Sequence, residues 1–459
     1  MNRKTYRFWQ VWLMVMFSLP FILYSEKVAA ATTYYIDDDG CPGQGAGTMG
    51  DPFCSIQDGI NAAVSGDTVL VAAGTYYENI TMKSGVVIQG EGQDVTTIDG
   101  GENASVVTAF SVNSAAKLDG FTITNGNSGN GGGIYNWFFS SPIVTNCTFS
   151  GNSATSYGGG IYNFNSSPTV TNCTFSGNTA GDSGGGIYNH NSSPTVTNCT
   201  FSGNLASFFG GGIYNNNSSP TITNCTFSEN SVASTYYQET KGGGGMHNEY
   251  SSPTVTNCTF SGNSTFFNGG GMANINSFPT VTNCTFSGNS AYYYGGGIYN
   301  SYSSPTVTNC TFFGNTAIGG VMYNENSSSP TLTNSILWGN DPEGIFNSVS
   351  STASVTYSDI QGGYTGTGNI NADPMFVDQG NGGLHLQQDS PCIDAGDNSA
   401  PSLPTTDFDG DDRKIDDPKV ADTGNGTPPI VDMGMDEYVP DPAPEFPWEI
   451  FYPAFIKKK

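Results

Sequence analysis

A chain of 459 residues with 39 acids against 13 Lys and Arg carries a formal charge of −26. That balance repels nucleic acid and anionic membrane surfaces, and no basic patch offsets it. The 61 glycines and many β-branched residues exclude a helical protein, and with only 11% of residues charged solubility rests on Asn, Ser, Thr and Gly, which hydrogen-bond neutral hydroxyl-rich ligands such as glycans.

Residues 1–31 read as a removable secretory signal. Arg3, Lys4 and Arg7 precede an apolar run over 11–24, and Val28-Ala29-Ala30-Ala31 offers small residues to a signal peptidase. The run contains Pro20 and is too short to span a bilayer, so no transmembrane span is expected in the mature chain. Residues 32–117 read as an N-terminal cap and first irregular coils. Within them 34–40 is a strand and turn, and 55–64 is a short helix with Ile56, Ile60 and Ala63 on one face. Val69-Leu70-Val71 starts the first coil. The helix is expected to cover the open end of a repeat core.

Residues 118–363 are a repeat. The string TNCTFSGN or a near copy recurs over 145–315, with Cys147, Cys173, Cys199, Cys225, Cys258, Cys284 and Cys310 spaced 26, 26, 26, 33, 26 and 26 apart. The 33 is one coil plus a seven-residue insertion between Asn230 and Gly243. A second string, GGGIYN, keeps the same beat at 158–163, 184–189, 210–215 and 295–300. A unit this short buries its apolar groups only by stacking on its neighbours. In the coil from Gly158, Ile161 and Tyr162 fall on opposite faces of a strand, Val170 points inward on a second, and Cys173 and Phe175 point inward on a third. Three strands per coil predict three parallel sheets around one core, each coil advancing about 4.8 Å. Asn146, Asn172, Asn198, Asn224, Asn257, Asn283 and Asn309 take equivalent corners, where Asn tolerates a left-handed backbone and its amide can bond the next coil's. Most precede Cys-Thr and so match the N-glycosylation pattern. A buried corner cannot carry a glycan, so the expected role is structural. The cysteines are expected to be buried, reduced and inert.

The repeats, GGGI at 158–161, 184–187, 210–213 and 295–298 with FSGN at 149–152, 175–178 and 201–204, resemble those of the polymorphic outer membrane proteins over roughly 118–340. That resemblance implies a right-handed, pectin-lyase-like parallel β-helix and a cell-surface, adhesive role. The membrane β-barrel that ends those proteins has no counterpart here, so self-transport through an outer membrane is not expected. Residues 364–439 resemble the choice-of-anchor Q domain, through Asn371-Ala372-Asp373-Pro374-Met375-Phe376, Leu384-His385-Leu386, Ser390-Pro391-Cys392-Ile393-Asp394-Ala395-Gly396, Thr406-Asp407-Phe408-Asp409-Gly410 and Asp432-Met433-Gly434-Met435-Asp436-Glu437-Tyr438. This implies an exported bacterial protein. Residues 440–459 are a Pro-rich tail too short for a membrane span. The N-terminal part resembles the start of many β-helix proteins, where Cys41 and Cys54 close a short loop as a disulfide, contributing about 3 kcal/mol. Cys392 has no evident partner.

Candidate chemistry is sparse. Between Leu118 and Pro330 there is no arginine and one lysine, Lys241, which argues against a lyase or hydrolase. The inserted coil concentrates Glu239, Lys241, His247 and Glu249, a weak catalytic set whose plain alternative is a solvated loop. Tyr135, Tyr162, Tyr188, Tyr214 and Tyr299 are expected to point outward in line, flanked by Trp137, Phe138, Tyr157, Phe208, Phe209, Phe266, Phe267, Tyr292, Tyr293 and Tyr294. Flat rings with a polar rim suit sugars; the alternative is a packed tyrosine ladder. Asp407, Asp409 and Asp411 have the oxygen character of Ca²⁺ ligands, but the full calcium-loop spacing is missing and a solvated acidic turn is the simpler reading. No other cofactor is expected. The expectation is a non-catalytic protein, secreted or on a bacterial cell surface, that binds polysaccharide or cell-surface glycan. A polysaccharide lyase or glycoside hydrolase in the same groove is the alternative, and a structural surface protein the third.

Overall fold

The computed structural model describes residues 30–39, 43, 45–233, 242–378 and 383–440. It is an all-β parallel β-helix of about 11 turns with about 26 residues per coil. Three long parallel sheets wind around one core. The first has 13 strands from Thr33–Ile36 to Ser354–Thr356, the second 12 from Gly74–Tyr77 to Asp359–Ile360, and the third 11 from Ile80–Thr81 to Ile345–Asn347. A fourth, narrow ladder of seven strands runs from Asn127–Asn130 to Ser290–Ala291, where three sheets were expected. Most of its strands are two residues long, such as Thr179–Ala180 and Leu205–Ala206, too short to leave a periodic pattern. Among the described residues no helix is long and apolar enough to cross a membrane.

The repeat dictates the register. Val170 pairs with Val196, Phe175 with Phe201 and Ile161 with Ile187. Across the insertion Phe227 still pairs with Phe260, so the extra residues leave the core beat intact. From Cys147 to Cys310 each coil therefore sends the same Ile or Met, Val or Ile, Cys and Phe into one continuous core. The core phenylalanines stack nearly face to face, with centroids 4.6–4.8 Å apart from Phe149 to Phe312. The seven repeat cysteines are free and buried. Each thiol donates to the carbonyl two residues back, as Cys173 does to Thr171. The glycines let the coils close tightly. Gly184 sits at φ 69°, and a Cβ on Gly186 would lie 2.6 Å from the Gly212 carbonyl of the next coil.

Two buried asparagine files brace the turns. In one, the Asn163 amide donates to Asn189 and Asn189 to Asn215, each at 2.8 Å. In the other, Asn178 donates to Asn204 at 2.9 Å and to the Phe149 carbonyl at 3.0 Å. The corner asparagines do take left-handed backbone, φ 50–54° from Asn146 to Asn309, and Asn172, Asn198 and Asn224 each bond the preceding corner at 3.2 Å. Burial divides them. Asn146, Asn172, Asn198 and Asn224 are exposed, whereas Asn283, Asn309 and Asn334 are covered. The expectation that every corner is buried is thus corrected: the first part of this edge is open, and the C-terminal segment lies over the rest.

The helix Ile56–Ala62 closes the N-terminal end. Ile56, Ile60 and Ala63 join the coil core. Ser55 caps it, and the Glu78 carboxylate accepts the N–H groups of Ile56 and Gln57. Cys54 is disulfide-bonded; Cys41 lies outside the described residues. At the other end the C-terminal segment has little regular structure beyond the antiparallel pair Phe376–Asp378 and Gly383–Leu386. It packs Phe376, Leu384, Leu386, Cys392, Ile393, Met433 and Met435 against Ile336 of the coils.

Candidate functional site

The third sheet carries the tyrosine file. Tyr135, Tyr162, Tyr188, Tyr214, His247, Ala273, Tyr299 and Tyr323 occupy one in-register position on successive coils, on the face opposite the core. Their outward direction matches the sequence reading; their use as a sugar platform does not. The rings of Tyr135, Tyr162, Tyr188 and Tyr214 stack on one another with centroids 5.4, 5.1 and 4.9 Å apart. Tyr157 and Phe209, on the segment before the glycines, cover them. Tyr162, Tyr188 and Tyr214 are only 5–7% exposed, and Tyr299 1%. Burial drives all four hydroxyls well above the ordinary tyrosine range. Flat faces spent on neighbouring rings are closed to a pyranose. This is a second, smaller core.

The weak catalytic set also changes. His247 is fully buried between Phe209 and Tyr214. Burial pulls its pKa down to about 4, so it is neutral at pH 7 and closed to substrate. Glu249 is half-buried and accepts from the Tyr214 hydroxyl and the Asn216 amide. Glu239 and Lys241 lie outside the described residues. The expected calcium ligands do not converge. Asp407 is buried, and its Oδ1 accepts the N–H groups of Asp409, Gly410 and Asp411 while Oδ2 accepts that of Glu437. Asp409 instead approaches His385 at 3.5 Å, beside Asp436 at 3.2 Å. Asp411 is exposed.

Open aromatic surface lies at the two flanks of the third sheet. On the strand-exit side Phe110, Trp137, Phe138 and Phe139 are 36–73% exposed. Phe110 meets Trp137 at 4.5 Å and Phe138 at 5.1 Å, and Phe138 meets Phe139 edge-on at 5.7 Å. The row continues through Phe164 and His190, stacked at 5.4 Å, so four coils line up over about 14 Å. Phe138 and Phe139 both sit in the left-handed region, at φ 59° and 61°. On the other flank Phe266 stacks on Tyr292 at 4.7 Å with Tyr293 edge-on. Beside them a cavity of about 200 Å³ is lined by Phe267, Asn268, Tyr293, Tyr294, Tyr299, Glu325 and Asn326.

The sequence places its coils in a known family. A family model described as "Right handed beta helix region" matches residues 79–242 and 233–360, more than half of the chain. The protein belongs to the right-handed β-helix family. Comparison with curated proteins gives no match. Among solved structures, this β-helix is similar to a polygalacturonase from Erwinia carotovora ssp. carotovora (12% identity, 71% of this chain and 95% of that one, TM-score 0.38). It is similar also to a rhamnogalacturonan lyase (13%, 76% and 91%, 0.35) and to the A-module of the Azotobacter vinelandii mannuronan C-5 epimerase AlgE6 (13%, 69% and 95%, 0.35). Likeness this weak assigns the β-helix neither substrate nor reaction.

Two features of this β-helix escaped the sequence reading. Tyr135 and Tyr162 are 27 residues apart where the next steps are 26, and the extra residue falls in the Trp137-Phe138-Phe139 turn, an insertion visible once strands are aligned. Arg413 is buried and donates to the carbonyls of Gly434 and Met435 beside Glu437; a lone arginine in an acidic stretch gave no sign of it.

Proposed function

We propose that this chain is a secreted or surface-displayed, non-catalytic β-helix protein of a bacterium that binds polysaccharide or cell-surface glycan in an adhesive role. The signal-like N-terminus, the polymorphic outer membrane protein-type repeat and the choice-of-anchor Q-like segment support export and display. One observation carries the binding: the exposed group Phe110, Trp137, Phe138 and Phe139. Exposed apolar patches mark contact sites. The left-handed backbone here belongs to the corner that the coils share, taken by Asn165, Asn191, Tyr250 and Tyr302 further along, and the one extra residue of this turn adds another exposed ring to the group. The site thus shifts from the tyrosine file to the turn beside it.

The test is affinity for a polysaccharide panel, with product release measured in parallel. Trp137→Ala and Phe139→Ala should each weaken binding about fivefold, the worth of one aromatic contact. Tyr188→Ala should lower stability and leave affinity unchanged in the folded protein. Unchanged affinity in both the Trp137 and Phe139 variants would remove the site. Product release by the parent would establish a lyase or hydrolase instead.

A further inference from the structure

The C-terminal segment holds a second cluster of carboxylates, apart from the Asp407 turn. Residues 416–424 loop around Asp394. At the loop's start the Asp417 N–H donates to Asp394 Oδ2 at 3.3 Å. At its end the N–H groups of Thr423 and Gly424 donate to the Asp394 carbonyl at 2.9 and 3.1 Å. This closure brings carboxylate oxygens of Asp394, Asp416 and Asp422 within 4.8 Å of one another. Asp416 and Asp422 are exposed, and Asp394 is fully buried. The ion pairs among the described residues include none of the three.

The second observation is an orphaned atom. Asp394 Oδ1 is buried and has no hydrogen-bond partner. Buried polar atoms are nearly always satisfied, and an exception calls for an ion, a water or a strain account. Asp394 also sits at φ 51°, held there by a hydrogen bond from its own N–H to Asp432 Oδ1 at 2.7 Å. The Asp417 N–H holds its Oδ2, which leaves Oδ1 for a ligand, with two exposed carboxylates beside it. An all-oxygen, all-anionic set of this kind suits a hard divalent cation completed by water, and offers no nitrogen or sulfur for zinc.

We infer that Asp394, Asp416 and Asp422 form a Ca²⁺ site that fastens the 416–424 loop to the segment lying on the last coils. That segment is tied down next door, where the Asp397 N–H donates to Asn334 Oδ1 at 2.7 Å and Met433 donates to the Cys392 carbonyl at 2.9 Å.

Calorimetric titration of CaCl₂ into the chelator-treated full chain tests this. One Ca²⁺ should bind per chain, with a Kd of about 10⁻⁴–10⁻³ M, the range of extracellular modules. The double variant Asp416→Asn/Asp422→Asn changes only exposed side chains, so it should fold. It should lose on the order of tenfold in affinity and lose Ca²⁺ protection of the loop against proteolysis. Asp409→Asn, from the His385 group, should bind as the parent does. No binding up to about 10 mM Ca²⁺, or parent-like binding in the double variant, would overturn the assignment, as would binding lost only in Asp409→Asn.

Discussion

The coils and the C-terminal segment solve the same problem, burying polar backbone and apolar side chains, by opposite means. In the coils the core contacts are repeated, so no core phenylalanine there is unique. Phe201 has Phe175 and Phe227 above and below at 4.7 and 4.8 Å, and each asparagine of the two buried files has a copy one coil away. The C-terminal segment has almost no strands and depends on contacts made once. Arg413 holds the Gly434 and Met435 carbonyls beside Glu437; Asp432 accepts the N–H groups of Asp394 and Tyr438; Glu437 accepts those of Ile415 and Asp432. Burial pushes both carboxyls up, and Arg413 draws them down. Iteration spreads stability over many equivalent sites, whereas a unique buried network concentrates it.

Arg413→Ala should therefore be the most damaging change. It leaves Glu437 and Asp432 without their cation and takes one donor from each of two buried carbonyls, a loss of about 3–5 kcal/mol. The C-terminal segment should become protease-sensitive while the coils stay resistant. A loss under about 1 kcal/mol, read from urea unfolding of a probe on that segment, would mean the network is not what holds it.

Phe201→Ala attacks the iterated side. A cavity in a packed core costs about 3–5 kcal/mol, and with a ring on each side to lean in, about 3 is expected. Phe175→Ala and Phe227→Ala should match it closely. Costs differing by more than about 1 kcal/mol in denaturant titration would break the claim that the coils are equivalent.

The same division governs what the sequence revealed. A 26-residue beat of Val, Cys and Phe admits one inward face, and Asn before Cys marks the left-handed corner, so sheets, register and core were legible. What lies on top of the coils was not. Tyr162, Tyr188 and Tyr214 point away from the core as expected, but Tyr157 and Phe209 arrive from another part of the coil to cover them, and strand alternation carries no information about that. The C-terminal carboxylates were visible as motifs, yet Asp407 as a turn anchor and Arg413 as its neighbours' counter-charge depend on chain folding that no period encodes. The candidate site moved for this reason, from repeated tyrosines to a one-residue irregularity beside them.

Titration separates the regions more gently. Asp359 ends the second sheet and accepts the Ala372 N–H at 3.2 Å and the Cys392 thiol at 3.5 Å. Burial pushes its pKa up to about 6 from 3.8. A folded-state pKa above the unfolded one favours the protonated fold, so this contribution is complete below about pH 4 and is lost as pH rises through 6. Stability where the C-terminal segment meets the last coils should fall by about 1–2 kcal/mol between pH 5 and 7. Asp359→Asn, which stays neutral, should flatten that slope. An unchanged slope in the variant would show that Asp359 is not its source.

The corner asparagines put the two designs on one ladder. Asn198 is exposed, and its amide donates to Asn172 and accepts from Asn224, both at 3.2 Å. Asn309 is buried under the C-terminal segment, and its amide donates to the carbonyls of Asp432 and Gly434, both at 3.2 Å. Glycine accepts the left-handed backbone without strain, so Asn→Gly removes the amide and little else. Asn198→Gly should cost about 0.5 kcal/mol, because water replaces exposed bonds. Asn309→Gly leaves two buried carbonyls short of a donor and should cost about 2 kcal/mol. The quantity to measure is the difference, about 1.5 kcal/mol, in paired urea titrations. Equal costs would mean that the ladder itself, and not the segment laid over it, sets the worth of a corner, and the contrast between repeated and unique contacts would then fail where the two regions touch.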